Sequence, residues 1–295
     1  MPWNVYRVVF RLRAPLHIGQ GKINYLQRTR PYVTGRVFRG ALVSRVGRNQ
    51  PELVRDSPSR DPYRRISKTF AQYLTSTYFY PALKKGNDWE VHFPWEDEAG
   101  FRRRFLGSYA GTALQYPSQT AAEGQLREIE YLAPYTLDEG LLVYLVGYIF
   151  VEESRLKPDN PNYNWRVALS RLQLGGERGY GWGLVQKVSL ERIEPNEKGL
   201  FQQEAGFNSD QNRPILRLKT GTPVWAHVQT KGATALTGSI EPLVGREWRA
   251  DGRSKRKHIG QHLAYNGLCY LPGSQLTAET AFSIEEGGIW KQVHH

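Results

Sequence analysis

Cysteine is almost missing from this chain. Its 295 residues hold a single one, Cys269. That excludes an intrachain disulfide and metal clusters built on several thiolates. Long apolar runs are missing too. No stretch of about 18 apolar residues occurs, so no transmembrane helix is expected. The start, Met-Pro-Trp-Asn-Val-Tyr-Arg, lacks the charged-then-apolar order of a signal peptide. A cytosolic, cytoplasmic protein is therefore the expectation. Acidic residues are scarce: 28 Asp and Glu face 40 Lys and Arg, for a formal net charge of +12.

Many of the cations are arginines, which grip phosphate in a planar fork and stack on bases. Eight Trp and 17 Tyr add stacking faces. No long amphipathic basic helix is evident, so the basic surface suits nucleic acid better than a membrane. Ordinary solubilising charge is the competing explanation. His258 and His262 have helical spacing, but no nearby cysteine or H-E-x-x-H pattern accompanies them. No metal and no cofactor are expected.

Asn4 to Arg13 alternates, with Val8, Phe10 and Leu12 on one side and Arg7, Arg11 and Arg13 on the other. This reads as a half-buried strand with arginines on an open face. Leu16-His17-Ile18-Gly19-Gln20-Gly21 is a short turn. Lys22 to Tyr32, with Arg28 and Arg30, reads as a basic extended loop or hairpin. Phe38, Leu42 and Val46 recur every four residues and predict a helix. Arg36 and Arg39 at its start suggest an anion site. Asn49 to about Gly111 is rich in proline and charge. It reads as an insertion with its own elements, including a helix around Ile66 to Leu74.

Leu126 to Pro134 reads as a strand, and the apolar run Leu141 to Val151 as a buried central one. Trp165, Ala168, Leu169 and Leu172 form a helical stripe. Leu184 to Ile193 reads as the last strand. The order is βαββαβ, the ferredoxin-like plan shared with RNA-recognition motifs. The fold class expected is thus α+β, with a ferredoxin-like domain over 1–194, an insertion at about 49–111, a linker at 195–213 and a β-rich region over 214–295. The most basic loop of that region, Arg246 to Lys257, includes Lys255 and Arg256.

Leu174 to Val185, L-G-G-E-R-G-Y-G-W-G-L-V, packs five glycines into the nine residues Gly175 to Gly183. Glycine permits positive φ and close backbone approach. Such a loop, with Arg178, Tyr180 and Trp182, suits a phosphate chain bearing bases. A set of tight turns is the bland alternative.

Three elements together resemble the RAMP superfamily of CRISPR-associated proteins, and most of all a type III effector-complex subunit. They are His17 with its Gly19-Gln20-Gly21 turn, the P-Y-V-T-G-R-V-F-R-G-A-L segment at Pro31 to Leu42, and the glycine loop. The match covers residues 1 to 193, with 49–111 unmatched. The resemblance implies CRISPR RNA and other effector subunits as partners, with target RNA as a further one and no membrane. It also implies that the glycine loop and the helix after the second element contact the RNA backbone. Carried over, the contacts are Arg36, Arg39, Gly175, Gly176, Arg178, Tyr180 and Trp182. The basic pattern adds Arg11, His17, Lys22, Arg28, Arg30, Lys255 and Arg256. Thr34-Gly35-Arg36 departs from the family's Pro-Gly-Ser, which adds charge and puts the tight turn in doubt.

Target-cleaving relatives place an aspartate after the His-Ile-Gly turn, whereas Lys22 to Tyr32 holds no Asp or Glu. The expectation is a non-catalytic RNA-binding subunit, gripping either the 5′ handle or the body of the guide. Two alternatives stay open. One is a metal-independent endoribonuclease that processes precursor CRISPR RNA with His17 as acid or base. The other is a scaffold that mainly contacts protein.

Overall fold

The alternation at Asn4–Leu12 folds as the central strand of the first of two large sheets. The computed structural model describes residues 2–49, 62–157, 160, 163–201, 203, 205–209, 211–247 and 262–293. In chain order the N-terminal half forms β1 (Asn4–Leu12), β2 (Gly19–Ile23), β3 (Leu26–Thr29), α1 (Gly35–Arg48), α2 (Pro62–Tyr73), β4 (Leu74–Ser76), β5 (Tyr80–Lys85) and β6 (Asp88–Val91). It continues with α3 (Glu98–Phe105), β7 (Leu106–Gly111), β8 (Leu114–Gln115), β9 (Thr120–Ala121), β10 (Arg127–Leu132), β11 (Tyr144–Val151), α4 (Trp165–Ala168), β12 (Arg171–Gln173) and β13 (Leu184–Ile193).

The first sheet runs β12-β13-β1-β11-β5-β6, with β4 also paired to β11. A second, smaller sheet runs β2-β3-β10-β7. On β1, Tyr6, Val8, Phe10 and Leu12 face α1 and α2 and share a core with Phe38, Leu42, Val46, Ile66 and Phe70. The four-residue apolar stripe of α1 is what buries it there.

The predicted βαββαβ order needs one correction. Leu126 to Pro134 is indeed a strand, β10, but it belongs to the smaller sheet. With β1 on one edge of β11, the strands on its other edge are β4 and β5, inside the segment read as an insertion. The reason is burial: every residue of β11 is buried, so it needs a paired neighbour on both edges. Leu74, Tyr80, Ala82 and Leu83 supply the apolar partners. The helix expected over 165–172 is also shorter. It ends at Ala168, and Leu172 joins β12 against Val185.

The C-terminal half adds α5 (Pro195–Lys198), β14 (Gly206–Asn208), β15 (Ile215–Leu218), β16 (Val228–Gln229), β17 (Leu236–Thr237), β18 (Ile240–Glu247), β19 (His262–Tyr270), β20 (Gln275–Leu276), β21 (Thr280–Ile284) and β22 (Trp290–Val293). Its large sheet runs β14-β15-β21-β22-β16-β19-β18. This sheet packs on the first one through a shared apolar cluster. Trp3, Val5, Tyr32, Tyr78, Tyr80, Tyr148 and Phe150 meet Phe201, Trp225, Phe282 and Trp290. Tyr80 donates its hydroxyl to the Trp225 carbonyl at 2.6 Å. The segment read as a linker takes part: Leu200, Phe201 and Ala205 are buried, and Phe201 N–H donates to the Tyr148 hydroxyl at 2.9 Å.

The β1 face expected to be open is therefore covered. Val5 lies in the shared cluster, and Val9 is buried with Ala82, Tyr144 and Val146. Arg7 pairs with Asp88 at 2.7 Å and Glu191 at 3.3 Å. Arg11 is half-buried on the same face.

The C-terminal half also closes onto α1. A Cβ built on Gly35 would sit 2.5 Å from the Gly287 carbonyl oxygen and 3.0 Å from Gly288 Cα. Gly35→Ala is expected to lower stability by about 1–3 kcal/mol through this backbone clash, read as a lower urea midpoint. An unchanged midpoint would mean that the turn does not bear on α1.

Candidate nucleic-acid interface

The glycine loop is a closed loop whose backbone is tied to the start of the chain. Leu174 N–H donates to the Gly183 carbonyl at 2.8 Å and closes its base. Gly183 N–H donates to Pro15 at 2.7 Å, and Gly176 N–H to His17 at 2.9 Å. Gln173 reaches across, its Nε2 donating to the carbonyls of Arg178 at 2.9 Å and Trp182 at 3.0 Å. Two of the glycines are required by geometry. Gly175 (φ 72°) would drive a Cβ into the His17 carbonyl, and Gly183 (φ 75°) would drive one into the Leu174 carbonyl.

This changes the expected role of the loop backbone. The amides of Gly176, Tyr180, Gly181 and Gly183 are bonded within the protein, so they do not form an open phosphate cradle. Gly175 and Gly176 act as the loop's seat on His17. The side chains point outward instead. Arg178 is exposed, and Tyr180 is 71% exposed. Trp182 packs edge-on against Tyr131 at 5.3 Å and Tyr109 at 6.1 Å. Arg127 stacks over Tyr180 at 5.4 Å. The loop thereby joins the small sheet, whose β2–β3 hairpin carries exposed Lys22 and half-buried Arg28. Arg127, Tyr180, Trp182, Tyr131 and Tyr109 form one patch of cation and rings; the strand register puts Lys22 on the same face of the sheet and Arg28 on the opposite one.

His17 is the hinge of this arrangement rather than an exposed base. It is 7% exposed, and its Nδ1 lies 2.8 Å from the Glu130 carbonyl oxygen. A carbonyl can only accept, so Nδ1 carries the proton. Glu130 is itself fixed: its carboxylate accepts from Thr29 N–H at 2.9 Å and pairs with Arg102.

Three expected contacts are engaged inside the protein. Arg39 pairs with Glu286 at 2.6 Å and donates to the Ser67 carbonyl at 2.7 Å. The Arg36 guanidinium lies against Gly245 of β18. The anion site expected at the start of α1 is thus covered by the turn at 286–288. Arg30 is buried and pairs with Glu241 at 2.6 Å. The reason in each case is the C-terminal half, which brings carboxylates and backbone over these cations. Lys255 and Arg256 lie outside the described residues.

Glu241 also accepts from His227 Nε2 at 2.8 Å, while His227 Nδ1 accepts from the Tyr78 hydroxyl at 2.8 Å. Burial holds the His227 imidazole below its usual range, against the pull of Glu241. For Glu241, burial alone would raise the carboxyl, but the His227 hydrogen bond and the Arg30 charge hold it lower than usual. For Arg30, burial opposes the charge, and Tyr32 and Glu241 outweigh it.

A second group gathers on the other side of the loop. Ala41, Ser44, Arg45 and Arg48 of α1 face Arg171, Leu172 and Gln173 of β12, with Arg178, Gly181 and Leu184, around a pocket of about 260 Å³. Arg45, Arg48 and Arg171 escaped the sequence reading. A signal was present: Ala41, Ser44, Arg45 and Arg48 fall at i, i+3, i+4 and i+7, a second helical stripe beside the apolar one.

No family model matches the chain, and no curated protein matches it. Among solved structures it is similar to a chain of the Type III-B Cmr-beta cryo-EM structure in the apo state, at 10% identity and a TM-score of 0.40, covering 64% of this chain and 97% of that one. It is similar to a chain of Type III-B Cmr-beta bound to cognate target RNA, at 11% identity and a TM-score of 0.39, covering 62% and 96%. A chain of Type III-B Cmr-beta bound to cognate target RNA and AMPPnP, state 1, gives 11% identity and a TM-score of 0.48, covering 92% and 85%.

The buried network makes stability depend on pH. The unfolded chain protonates His227 at a higher pH than the native chain does, so stability falls as pH drops below about 6.5. Protonating Glu241 removes more as pH falls below the ordinary carboxylate range toward its lowered folded value. His227→Gln is expected to flatten the fall in urea midpoint between pH 7 and pH 5.5. An unchanged slope would mean that this imidazole is not kept neutral by burial.

Proposed function

We propose that this chain is a non-catalytic RNA-binding subunit of a type III CRISPR effector complex. One observation carries the reading. The His17 turn and the glycine loop, far apart in sequence, are joined by backbone hydrogen bonds at Pro15 and His17. Their junction presents Tyr180, Arg178, Arg127 and the Trp182–Tyr109 pair at the surface. Exposed rings such as Tyr180 and Tyr109, interleaved with cations, offer faces for unpaired bases and suit single-stranded RNA rather than a duplex. The strand order β13-β1-β11-β5, with α1 packed on one face, supports a ferredoxin-like reading of residues 1–194.

The partner is CRISPR RNA, held at its 5′ handle or along the guide, with target RNA passing nearby. The burial and the hydrogen bond of His17 support a structural role for that residue. Other effector subunits have a surface too. Val244 faces Tyr265 across the β18–β19 hairpin, and both are exposed, as is Leu263. This supports a protein contact there, apart from the RNA-binding patch.

The purified chain is expected to bind unstructured RNA with an affinity that falls steeply with salt. Tyr180→Leu is expected to weaken that binding about tenfold, the loss of one stacking face, with the urea midpoint unchanged. Binding that ignores both salt and Tyr180 would contradict the reading.

A further inference from the structure

We propose that the pocket between the last turns of α1, strand β12 and the glycine loop is a phosphate-binding site. Arg45, Arg48, Arg171 and Arg178 line it, and no carboxylate does. Among the described residues none of the four has an ion-pair partner. Arg45 Nε is buried without any hydrogen-bond acceptor. Four arginines with no carboxylate among the lining residues give the pocket a positive field, and an anion seated there is attracted by it.

The favourable placement of cations near a helix C-terminus accounts for Arg45 and Arg48. It does not account for Arg171 and Arg178, which arrive from two other elements. Their convergence is built in by backbone. Gln173 holds the Arg178 carbonyl, and β12 is fixed by pairing with β13. Ser44 adds a hydroxyl donor, and Leu172 and Leu184 supply apolar walls. At about 260 Å³ the pocket lies below the range of drug-sized sites and suits a small anion held in bidentate forks.

Arg178 borders the pocket, and Tyr180 lies two residues on under Arg127. A strand stacked on the aromatic patch can therefore place one of its phosphates here. That source rests on the RNA reading above; the pocket itself does not. The phosphate is either an internal phosphodiester or the end group of a strand.

The test uses the full chain and the variant Arg45→Gln/Arg48→Gln/Arg171→Gln. A control variant, Lys84→Gln/Arg155→Gln/Arg192→Gln, loses the same charge elsewhere. Calorimetric titration with inorganic pyrophosphate is expected to show binding to wild type and control, and at least tenfold weaker binding to the pocket variant. Oligoribonucleotides with hydroxyl ends and with a 5′- or 3′-phosphate are then compared. A loss of affinity for all of them in the pocket variant, with a shallower salt slope, assigns an internal phosphodiester. A loss confined to one phosphorylated end assigns that end group. The site is overturned if the pocket variant matches the control with pyrophosphate and with every RNA. Should wild type bind pyrophosphate through the pocket but no RNA, the pocket stands and the RNA reading fails.

Discussion

Two backbone hydrogen bonds, Gly176 N–H to His17 and Gly183 N–H to Pro15, set where the side chains proposed to meet RNA stand. They clamp the glycine loop against the segment that follows β1. Beside the first, the loop backbone approaches the His17 carbonyl closer than a Cβ on Gly175 would allow, and beside the second a Cβ on Gly183 would strike the Leu174 carbonyl. Once the ends are fixed, the middle of the loop must bulge outward. Arg178 and Tyr180 stand on that bulge, and Trp182 falls back onto Tyr131 and Tyr109. The glycines thus act through sterics, and in the proposed function the recognition chemistry passes to side chains.

The second organising constraint is the core shared by the two halves. Tyr32, Tyr78 and Tyr80 from the N-terminal half and Trp225 and Trp290 from the C-terminal half form one buried cluster. Burying this face of the first sheet removes it as an RNA-binding platform. It also buries Arg30, which pairs with Glu241, and Glu241 in turn accepts from His227, an imidazole that burial keeps neutral. A buried pair of this kind is weak evidence for stability, but breaking it is costly. It lies at the join between the halves, Arg30 from the first and Glu241 from the second. The glycine loop and the arginine pocket lie outside that cover.

Much of the local structure was legible in the sequence. Leu184 to Ile193 is a strand with those same ends, and the stripe at Phe38, Leu42 and Val46 buries α1 as its spacing demands. Short local patterns carried that information. Pairing did not show, because Tyr80-Pro-Ala-Leu carries no period that names β11 as its neighbour. The fate of the arginines was equally non-local. Arg30 and Arg39 look like free cations until Glu241 and Glu286 arrive from the C-terminal half. Arg45, Arg48 and Arg171 drew no notice in the sequence, because only the fold brings β12 beside the end of α1. For a cation, local sequence gives the charge, and the tertiary partner decides whether that charge remains available.

The central claim is that RNA crosses the glycine-loop patch and not the covered face of the first sheet. Photo-crosslinking of bound RNA, with the attached residues identified by mass spectrometry, tests it most directly. Adducts at Tyr180, Trp182 or Tyr109 are expected. Adducts confined to residues remote from the loop, with none on those three rings, would contradict it.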